Sequence, residues 1–468
     1  MGSDWTARDQ RAFAQRGWSV EEAETQSVHL QGSGPTVAVD RPCTAGDGIH
    51  VLTAGEREIA CTLGTKVLAD GALCARFVPA SGAASRMFAA LRNTLGKKEK
   101  QLLQGQAQDF PFWSACQREA LQALLPSDRA EQAKAWMLDP ESGWSHLPKG
   151  LIPFHRYPDD QSRSSFEEHA KEWNLLAGHA PLHFTLPERY QDQIEGLLEG
   201  ENVQVSTSVQ APSTDTLAWD MRSRALARHA DGSLLFRPGG HGALLKNLAS
   251  ITSPFIFVRN IDNIVPTRLM AARNEEQKVL LGRCASLVKA RNALLSRPDL
   301  GETSWHQDAV NWLAAFQGDA AELTHADSLI ERLNRPIRVA GMVRNEGAPG
   351  GGPFWIRQAN GRMVPSIVES AELPEGRLDG GTHFNPVDMV CNVQRADGSR
   401  YDVLHFSDEH RYFIGQKDWN GQGIRILERP GLWNGGMDEW LTQFVEVPAT
   451  TFAPVKSVFD LLHPIRRG

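Results

Sequence analysis

Short apolar runs along the chain alternate with longer segments in which apolar residues recur every three or four positions. Phe255-Ile-Phe-Val258 is apolar throughout, as expected for a buried parallel strand. Leu182-His-Phe-Thr185 predicts another strand, and it lies between a predicted helix at 166 to 177 and one ending near 199. Strands that alternate with helices at this spacing predict an α/β fold, with a mixed, mostly parallel sheet covered by helices.

The same pattern predicts how the chain is divided. Two short helices separated by Gly17 form an N-terminal helical cap, and the segment from Ile59 to Leu68 is compatible with helix or strand. From Ile337 onward the chain is glycine-rich and strand-like. The predicted parts are a cap at 1–70, a core at 71–395 with helical insertions near 97–140 and 267–335, and C-terminal strands and a helix at 396–468.

Composition narrows the class of protein. The 468 residues are 41% hydrophobic and 22% charged, which is ordinary for a soluble enzyme. A formal net charge of -7 argues against a general nucleic-acid binder, which needs a basic face. The six cysteines are scattered without a C-x-x-C pair, which fits a reducing cytoplasm, and no apolar stretch predicts a membrane span.

A loop of small residues carries the first candidate site, in Phe77-Val-Pro-Ala-Ser-Gly-Ala-Ala-Ser-Arg-Met-Phe88. The order is strand, tight loop, helix. Small side chains let a phosphate approach the backbone, whose N–H groups point positive ends toward it. Arg86 adds a forked and permanently charged donor. We expect this loop to hold a nucleoside triphosphate through Ala80, Ser81, Gly82 and Ser85.

Two later segments are compatible with the same ligand. Lys149 follows a proline and could present a compact charge to a phosphate, although a surface lysine is the simpler explanation. Leu235-Phe-Arg-Pro-Gly-Gly-His-Gly-Ala-Leu-Leu245 predicts a strand, a glycine loop and a helix. Its glycines would clear space for a flat ligand, with the backbone and His241 contacting base or ribose, or they form only a tight turn.

Asp262 lies just past the carboxyl end of the buried strand that ends at Val258. Open α/β sheets bind ligands at such positions, and a single carboxylate can hold Mg²⁺ against a phosphate oxygen. An aspartate that caps the next turn is the alternative. Three further segments, around Glu369, Asn385 and Lys456, suggest a sugar pocket with a lysine returning to the phosphates, although each alone is explained as a strand or turn.

The order of these segments resembles the UDP-sugar pyrophosphorylases, nucleotidylyltransferases of the GT-A-type fold. That family has a glycine-rich loop ending in Thr-Arg, then Pro-Lys, a glycine-His-glycine element, Asn-x-Asp-Asn, a Val-Glu-Tyr-Ser-Glu-like segment and a late Pro-Val-Lys. More narrowly, the chain resembles a bacterial family known as domain of unknown function 4301. The resemblance runs from about Phe77 to Leu462, with Pro-Ala-Ser-Gly-Ala-Ala-Ser-Arg in place of the paired-glycine loop and Ser370-Ala371 in place of Tyr-Ser.

The resemblance implies a role for each matched position. Gly82 and Ser85 would lie under the triphosphate, while Arg86, Lys149 and Lys456 would contact phosphates during catalysis. Mg²⁺ would be the cofactor. The remaining residues implied are Gly239, Gly240, His241 and Gly242 for the nucleotide, Asp262 for the metal, and Asn260, Glu369 and Asn385 for the substrate, of which Glu369 and Asn385 would face the sugar.

The implied reaction joins a sugar 1-phosphate to a nucleoside triphosphate, with UTP favoured, and releases pyrophosphate. Such chemistry needs placement and charge neutralisation rather than a covalent nucleophile. Two alternatives stay open. One is a GT-A-type glycosyltransferase, which has less use for the cations at Arg86 and Lys149. The other is a catalytically silent nucleotide-sugar binder that keeps the sheet.

Overall fold

The computed structural model describes residues 5–82, 84–318, 325–347, 351–373, 381–384 and 386–466. Within these ranges the chain forms thirteen α-helices and nineteen strands, besides short 3-10 helices. The helices, in chain order, are α1 Ala7–Arg16, α2 Val20–Gln31, α3 Ala54–Leu68, α4 Ala89–Arg92, α5 Lys97–Gln106, α6 Ala115–Ala123, α7 Pro126–Leu138, α8 Ser165–Ala177, α9 Gln191–Leu197, α10 Leu245–Ala249, α11 Thr267–Leu295, α12 Thr303–Leu313 and α13 Ala326–Leu333.

The strands are distributed over one large sheet and three small ones. In chain order they are β1 Val39–Pro42, β2 Thr44–Ala45, β3 Gly48–His50, β4 Cys74–Pro79, β5 Pro153–Arg156, β6 Ser162–Ser164, β7 Pro181–Leu186, β8 Gln204–Val209, β9 Asp215–Asp220, β10 Ala225–Leu226, β11 Phe236–Pro238, β12 Phe255–Val258, β13 Ile337–Met342, β14 Gly352–Arg357, β15 Met363–Val368, β16 Asp388–Asn392, β17 Phe413–Trp419, β18 Gln422–Glu428 and β19 Leu441–Glu446.

The chain divides into two compact units, and each is built from separate stretches of sequence. The first unit contains Met1–Leu63, Gln210–Ile256 and Leu280–Val447, and the second contains Gly64–Val209, Phe257–Val279 and Pro448–Gly468. The predicted division into cap, core and C-terminal part stays a prediction.

The large sheet has nine strands and is mixed, with mostly parallel pairs. In the first unit the order is β2-β3-β19-β13-β16, where only the pairing of β13 with β16 is antiparallel. In the second unit β4, β7 and β8 are all parallel. The ninth strand, β12, has residues in both units, and its four side chains are buried. The α/β class with a mostly parallel sheet is confirmed.

The first unit also contains two small antiparallel sheets, β1-β14-β15 and a five-stranded sheet in which β9 pairs with β10, β11 and β18. The N-terminal helices pack on the larger of these. Phe13 and Trp18 belong to one buried cluster with Leu217 and Leu234. Gly17 ends α1 at a φ of 72°, a left-handed conformation that glycine adopts without steric cost. The predicted pair of N-terminal helices is confirmed.

The second unit contains the predicted helical insertion at 97–140, which is confirmed as α5, α6 and α7. Phe110, Trp113 and Met137 of this segment are buried in one cluster with Leu461 near the C-terminus. The undecided segment from Ile59 to Leu68 is helical, in α3. No helix in the described part of the chain is long and apolar enough to cross a membrane.

Candidate active site

The loop after β4 in the second unit is anchored at its start and open in its middle. The backbone N–H of Ala80 lies 3.1 Å from the carbonyl oxygen of Thr185 and 3.0 Å from its hydroxyl oxygen, both in β7. Gly82 is exposed, and a β-carbon built there meets no atom of the described residues within 4 Å beyond its chain neighbours. Arg86 is exposed as well. The loop therefore leaves room for a ligand beside its backbone.

The segment that carries Lys149 is joined to this loop through the backbone. The N–H of Ala84 donates to the carbonyl of Leu147 at 3.1 Å, and the N–H of Lys149 donates to the carbonyl of Gly82 at 3.4 Å. The next residue must be small, because a β-carbon at Gly150 would lie 2.4 Å from the ring of a phenylalanine in α8. Two motifs that are more than sixty positions apart in the sequence are thus neighbours.

Lys149 and Asp262 are in direct contact. The Nζ of Lys149 donates to Oδ2 of Asp262 at 2.7 Å, and the two side chains are 17% and 25% exposed. The turn that carries Asp262 begins at the half-buried Asn260, and its middle is held by Ser165 at the start of α8, whose hydroxyl donates to the carbonyl of Ile261. Sequence reasoning assigned this lysine and this aspartate to one site, and the structure brings them together.

A buried charge cluster supports the turn. Glu172 of α8 lies 2.8 Å from Arg76, 3.1 Å from Arg259 and 3.5 Å from Arg273. Burial by itself would raise the pKa of Glu172, but the three guanidinium charges outweigh it and hold the pKa well below its ordinary value. Arg259 and Arg273 also donate to the carbonyl of Asn263, at 2.7 and 2.6 Å. The cluster therefore fixes the backbone directly after Asp262.

The C-terminal segment that carries Lys456 is attached to the same turn and to the first loop. The N–H of Val455 donates to the carbonyl of Asp262 at 3.0 Å, and the N–H of Val458 donates to the carbonyl of Met87 at 2.9 Å. Lys456 lies between these two anchors and is exposed. All four motifs of the second unit are therefore linked by hydrogen bonds, with Lys149 and Asp262 in side-chain contact.

The glycine loop after β11, in the first unit, is crowded by its own chain. A β-carbon would lie 2.5 Å from the carbonyl oxygen of Thr214 at Gly239, and 2.2 Å from that of Pro430 at Gly242. Gly240 has a φ of 76°, which disfavours any larger residue. The space expected for a flat ligand beside Gly239 and Gly242 is thus filled by the protein's own backbone. That expectation is corrected, and a contact from their N–H groups stays a prediction.

His241 is oriented by a backbone donor. The N–H of Leu432 donates to its Nδ1 at 3.3 Å, and its ring lies 5.8 Å from that of Trp433 at a tilt of 31°. In a neutral imidazole whose Nδ1 accepts, the proton is on Nε2. His241 therefore has Nε2 as its donor.

Glu369 lies near two other carboxylates of the first unit. Burial, and then the charges of Glu372 and Glu428, raise its pKa to about 7. Glu428 forms an ion pair with Lys417 at 2.7 Å. It also lies beside the glycine loop, since a β-carbon at Gly240 would be 2.8 Å from its Oε2. Glu428 thus neighbours both predicted motifs of this unit, the glycine loop and Glu369.

Glu372 has a structural role. Its buried carboxylate accepts from Arg411 at 3.0 Å, from the side chain of Asn434 at 2.8 Å and from the backbone N–H of Glu369 at 2.8 Å. Arg411 is itself buried and forms a second ion pair, with Asp438, at 2.6 Å. This network fixes the backbone at Glu369, which is the residue predicted to face the sugar.

The predicted residues fall into two sets, one in each unit. The set in the second unit is Ala80, Ser81, Gly82, Ser85, Arg86, Lys149, Asn260, Asp262 and Lys456, and the set in the first is Gly239, Gly240, His241, Gly242 and Glu369. Asn385 lies outside the described residues, and the side chain of Ser85 is not described.

Sequence reasoning missed the buried charges. Glu172 and its three arginines were not singled out, because charged residues are usually exposed and their burial depends on partners distant in sequence. The half-buried Glu428 beside the glycine loop was missed as well. The one available sign was Arg259, a charge placed directly after the fully apolar run of β12.

The residues around Asp262 fit Mg²⁺ bound chiefly by a substrate. Mg²⁺ is commonly held by one or two carboxylates, with phosphate and water in its other positions. Asp262 supplies one partly exposed carboxylate. The ammonium group of Lys149 already lies beside this carboxylate, so a positive charge is stable at this position. Among the described residues no group of three or more His, Cys, Asp or Glu could form an all-protein metal cage.

Fold and site together define an α/β protein with a small-residue loop, a lysine–aspartate pair and further cations linked to one turn. The chain belongs to the family described as domain of unknown function DUF4301, whose model matches residues 6–467. Membership of this family, predicted from the ordered motifs, is confirmed. No curated protein matches the chain.

Solved structures of UDP-sugar pyrophosphorylases are similar to the chain at low identity. The uridine diphosphate N-acetylglucosamine pyrophosphorylase from Trypanosoma brucei is 13% identical with a TM-score of 0.49, covering 97% of this chain and 75% of that one. The UDP-glucose pyrophosphorylase from Leishmania major is 12% identical with a TM-score of 0.43, covering 98% and 76%. The inositol-1-phosphate CTP transferase from T. maritima is 10% identical with a TM-score of 0.33, covering 80% and 86%.

Proposed function

We propose that the protein is a magnesium-dependent nucleotidylyltransferase that joins a sugar 1-phosphate to a nucleoside triphosphate, with UTP favoured, and releases pyrophosphate. The observation that carries the proposal is the contact between Lys149 and Asp262 beside an open loop of small residues. A cation and a carboxylate held next to an exposed loop of small residues suit a polyphosphate with its metal ion.

In the proposed reaction an oxygen of the sugar phosphate attacks the α-phosphorus of the nucleotide. A bond forms between that oxygen and phosphorus, and the bond from phosphorus to the bridging oxygen of pyrophosphate breaks. Such a transfer depends on placement and on neutralising charge. Arg86, Lys149 and Lys456 supply positive charge for this purpose, and Asp262 would hold Mg²⁺. The metal would neutralise charge on the phosphates.

The residues predicted to contact the nucleoside and the sugar lie in the first unit. His241 would donate from Nε2 to the nucleoside, since its Nδ1 already accepts from the backbone. Glu369, with a pKa of about 7, is close to half protonated near neutral pH and can both donate to and accept from a sugar hydroxyl. Gly240 would contribute backbone contacts, and Asn385 would contact the sugar.

The direct test is pyrophosphate release by the purified full-length chain. Panels of nucleoside triphosphates and sugar 1-phosphates are combined in the presence of Mg²⁺, and we expect release only when one member of each class is present. The reverse reaction, formation of a nucleoside triphosphate from a nucleotide sugar and pyrophosphate, is expected as well. Transfer of sugar without pyrophosphate chemistry would indicate a glycosyltransferase, and binding without turnover would indicate a silent binder.

The metal assignment has its own test. Asp262→Asn removes the carboxylate charge but keeps the shape, so we expect the Mg²⁺ concentration required for half-maximal rate to rise by roughly tenfold or more. Asp192→Asn, an exposed aspartate at the start of α9, is the matched control and should leave the Mg²⁺ titration unchanged. Identical titrations for both variants would remove Asp262 from the proposal.

A further inference from the structure

A cavity of about 400 Å³ lies in the first unit, between α1 and the segment leading to β11. Its volume is in the range of small-molecule sites, roughly 300–1,000 Å³. None of the residues assigned to the proposed transferase reaction lines it. The lining residues that matter for binding are Arg8, Arg11, Arg16, His229, Leu234 and Phe236.

The arginines share one face of α1. Residues spaced three or four positions apart on a helix lie on the same side, and this spacing holds for Arg8, Arg11 and Arg16 with Ala12 and Gln15 between them. The opposite face of α1 is buried, through Asp9 and Phe13. Packing of that face against the sheet therefore turns three guanidinium groups toward the cavity.

The charges around the cavity are not balanced. Arg8 pairs with Asp231 at 2.6 Å, and Arg16 pairs with Asp215 at 3.2 Å. Among the described residues Arg11 has no carboxylate partner. Three guanidinium groups thus face two carboxylates, which leaves one positive charge in excess in a protein whose formal net charge is -7.

Two apolar side chains, Leu234 and Phe236, line part of the cavity. Leu234 is buried, and Phe236 is half-buried at the start of β11. The guanidinium of Arg16 lies 3.6 Å from the centre of the Phe236 ring, and the ring of Trp18 packs against the same phenylalanine at 5.5 Å. The lining therefore combines guanidinium groups with apolar side chains, and the Arg16 guanidinium stacks on the Phe236 ring.

We propose that this cavity binds a small phosphomonoester with a ring-shaped or apolar remainder. A phosphomonoester carries about -1.5 to -2 charges near pH 7 and three acceptor oxygens. With nearly two charges and three oxygens it can bind Arg11 and also compete with Asp231 for Arg8, whereas a carboxylate, with one charge and two oxygens, would pair with Arg11 alone. Forked guanidinium groups suit the several oxygens of a phosphate.

The test uses phenyl phosphate as probe and isothermal titration calorimetry on the full-length chain. The background variant is Lys149→Ala, which weakens phosphate binding at the proposed transferase site and so separates the two sites. We expect phenyl phosphate to bind this variant, and Arg11→Glu added to it to raise the Kd by roughly tenfold to a hundredfold. Benzoate should bind more weakly than phenyl phosphate to the background variant.

The controls keep the outcome decisive. Arg222→Glu, the same charge change at an exposed arginine outside the cavity, should leave the Kd unchanged. Arg11 is exposed, so Arg11→Glu should fold, and Arg11→Gln provides a milder variant with a smaller increase in Kd. Hydrogen exchange in Ala7–Arg16 should slow on binding. The proposal would be overturned if phenyl phosphate failed to bind the Lys149→Ala variant. It would also be overturned if adding Arg11→Glu to that variant left the Kd for phenyl phosphate unchanged.

Discussion

Each of the two units has a glycine-containing loop between a strand and a helix, and the two loops differ in what surrounds their glycines. Beside Gly82, in the loop after β4, a β-carbon would meet no described atom within 4 Å beyond its neighbours in the chain. Beside Gly242, in the loop after β11, it would lie 2.2 Å from a backbone oxygen of Pro430. The loop after β4 is therefore open, whereas backbone atoms of the same chain fill the space beside the loop after β11, which we call the closed loop.

A glycine in a sequence thus indicates that some group approaches the backbone closely, but it does not identify that group. In the open loop, the space beside Gly82 can accept a ligand. In the closed loop, Thr214 and Pro430 take that place, and the loop's candidate ligand contacts are its N–H groups and His241. Substitutions that enlarge glycines should therefore damage stability at one loop and ligand binding at the other.

The largest expected effect is that of Gly242→Ala. The added methyl would overlap the carbonyl oxygens of Pro430 at 2.2 Å and Arg429 at 2.6 Å, and backbone atoms cannot move away as a flexible side chain can. We expect a loss of about 4 kcal/mol or more in the free energy of unfolding, or failure to fold. Urea denaturation followed by circular dichroism measures it. Gly55→Ala, at an open position of the same unit, is the control. Equal stability of the two variants would contradict the claim that backbone atoms leave no space for a methyl group at Gly242.

Arg86→Ala should come next, with a large loss of activity and little change in stability. Arg86 is exposed at the end of the open loop, and removal of a preorganised positive donor commonly costs about 10²–10³ in rate, or roughly 3–4 kcal/mol. Pyrophosphate release with saturating substrates measures the rate, and thermal unfolding measures the stability.

The matched control for that variant is Arg92→Ala. Arg92 is also exposed, and it donates to the hydroxyl of Ser145 at 3.2 Å. Its loss should leave turnover close to that of the natural protein. Equal rates of pyrophosphate release for Arg86→Ala and the natural protein would mean that the side chain of Arg86 does not bind the phosphates.

Much of the fold follows from local pattern. The apolar run at Phe255–Val258, the paired N-terminal helices and the helical insertion were all evident from the spacing of apolar residues. The order of strands in the sheet was not, because β19 lies beside β3 and β13 through pairings that join distant parts of the chain. Such pairings depend on the whole set of elements rather than on any one segment.

The candidate site was predicted as a list of residues but not as an arrangement. The order of motifs in the chain, which resembles that of a known family, assigned Lys149 and Asp262 to one site. The distance of 2.7 Å between the Nζ of Lys149 and Oδ2 of Asp262 agrees with that assignment. The closure of the loop at Gly242 could not be predicted, because it depends on Pro430 nearly two hundred positions later. The burial of Glu172 among arginines was hidden for the same reason.

A smaller effect is expected from Glu369→Gln, and it depends on pH. Glu369 lies in the unit of the closed loop, where burial and then Glu372 and Glu428 raise its pKa from 4.5 to about 7. The folded protein therefore binds this proton more tightly than the unfolded chain does. The contribution of protonated Glu369 to the free energy of unfolding is therefore fully present below about pH 4.5, and it is lost as the pH rises to about 7.

Glutamine removes the charge that burial disfavours, so Glu369→Gln should be more stable than the natural protein by about 1–3 kcal/mol near pH 8 and equal to it near pH 4. Urea denaturation at a series of pH values measures the difference. Glu24→Gln, an exposed position on α2, should show no such trend. A difference that stays constant across the series would mean that Glu369 is not crowded by the carboxylates beside the closed loop.

The smallest change in stability, with a marked change in binding, is expected from Gly82→Ala. The backbone there is not left-handed and the space is open, so the methyl fits the folded protein and reduces the freedom of the unfolded chain, a gain of about 0.5 kcal/mol. A triphosphate that lies against the loop would meet the same methyl. We therefore expect the Kd for the nucleotide, measured by calorimetry, to increase, while the unfolding temperature stays the same or rises.

The control is Gly71→Ala, at another open glycine of the second unit, which should leave the Kd for the nucleotide unchanged. Equal Kd values for the two variants would show that the nucleotide does not lie against Gly82.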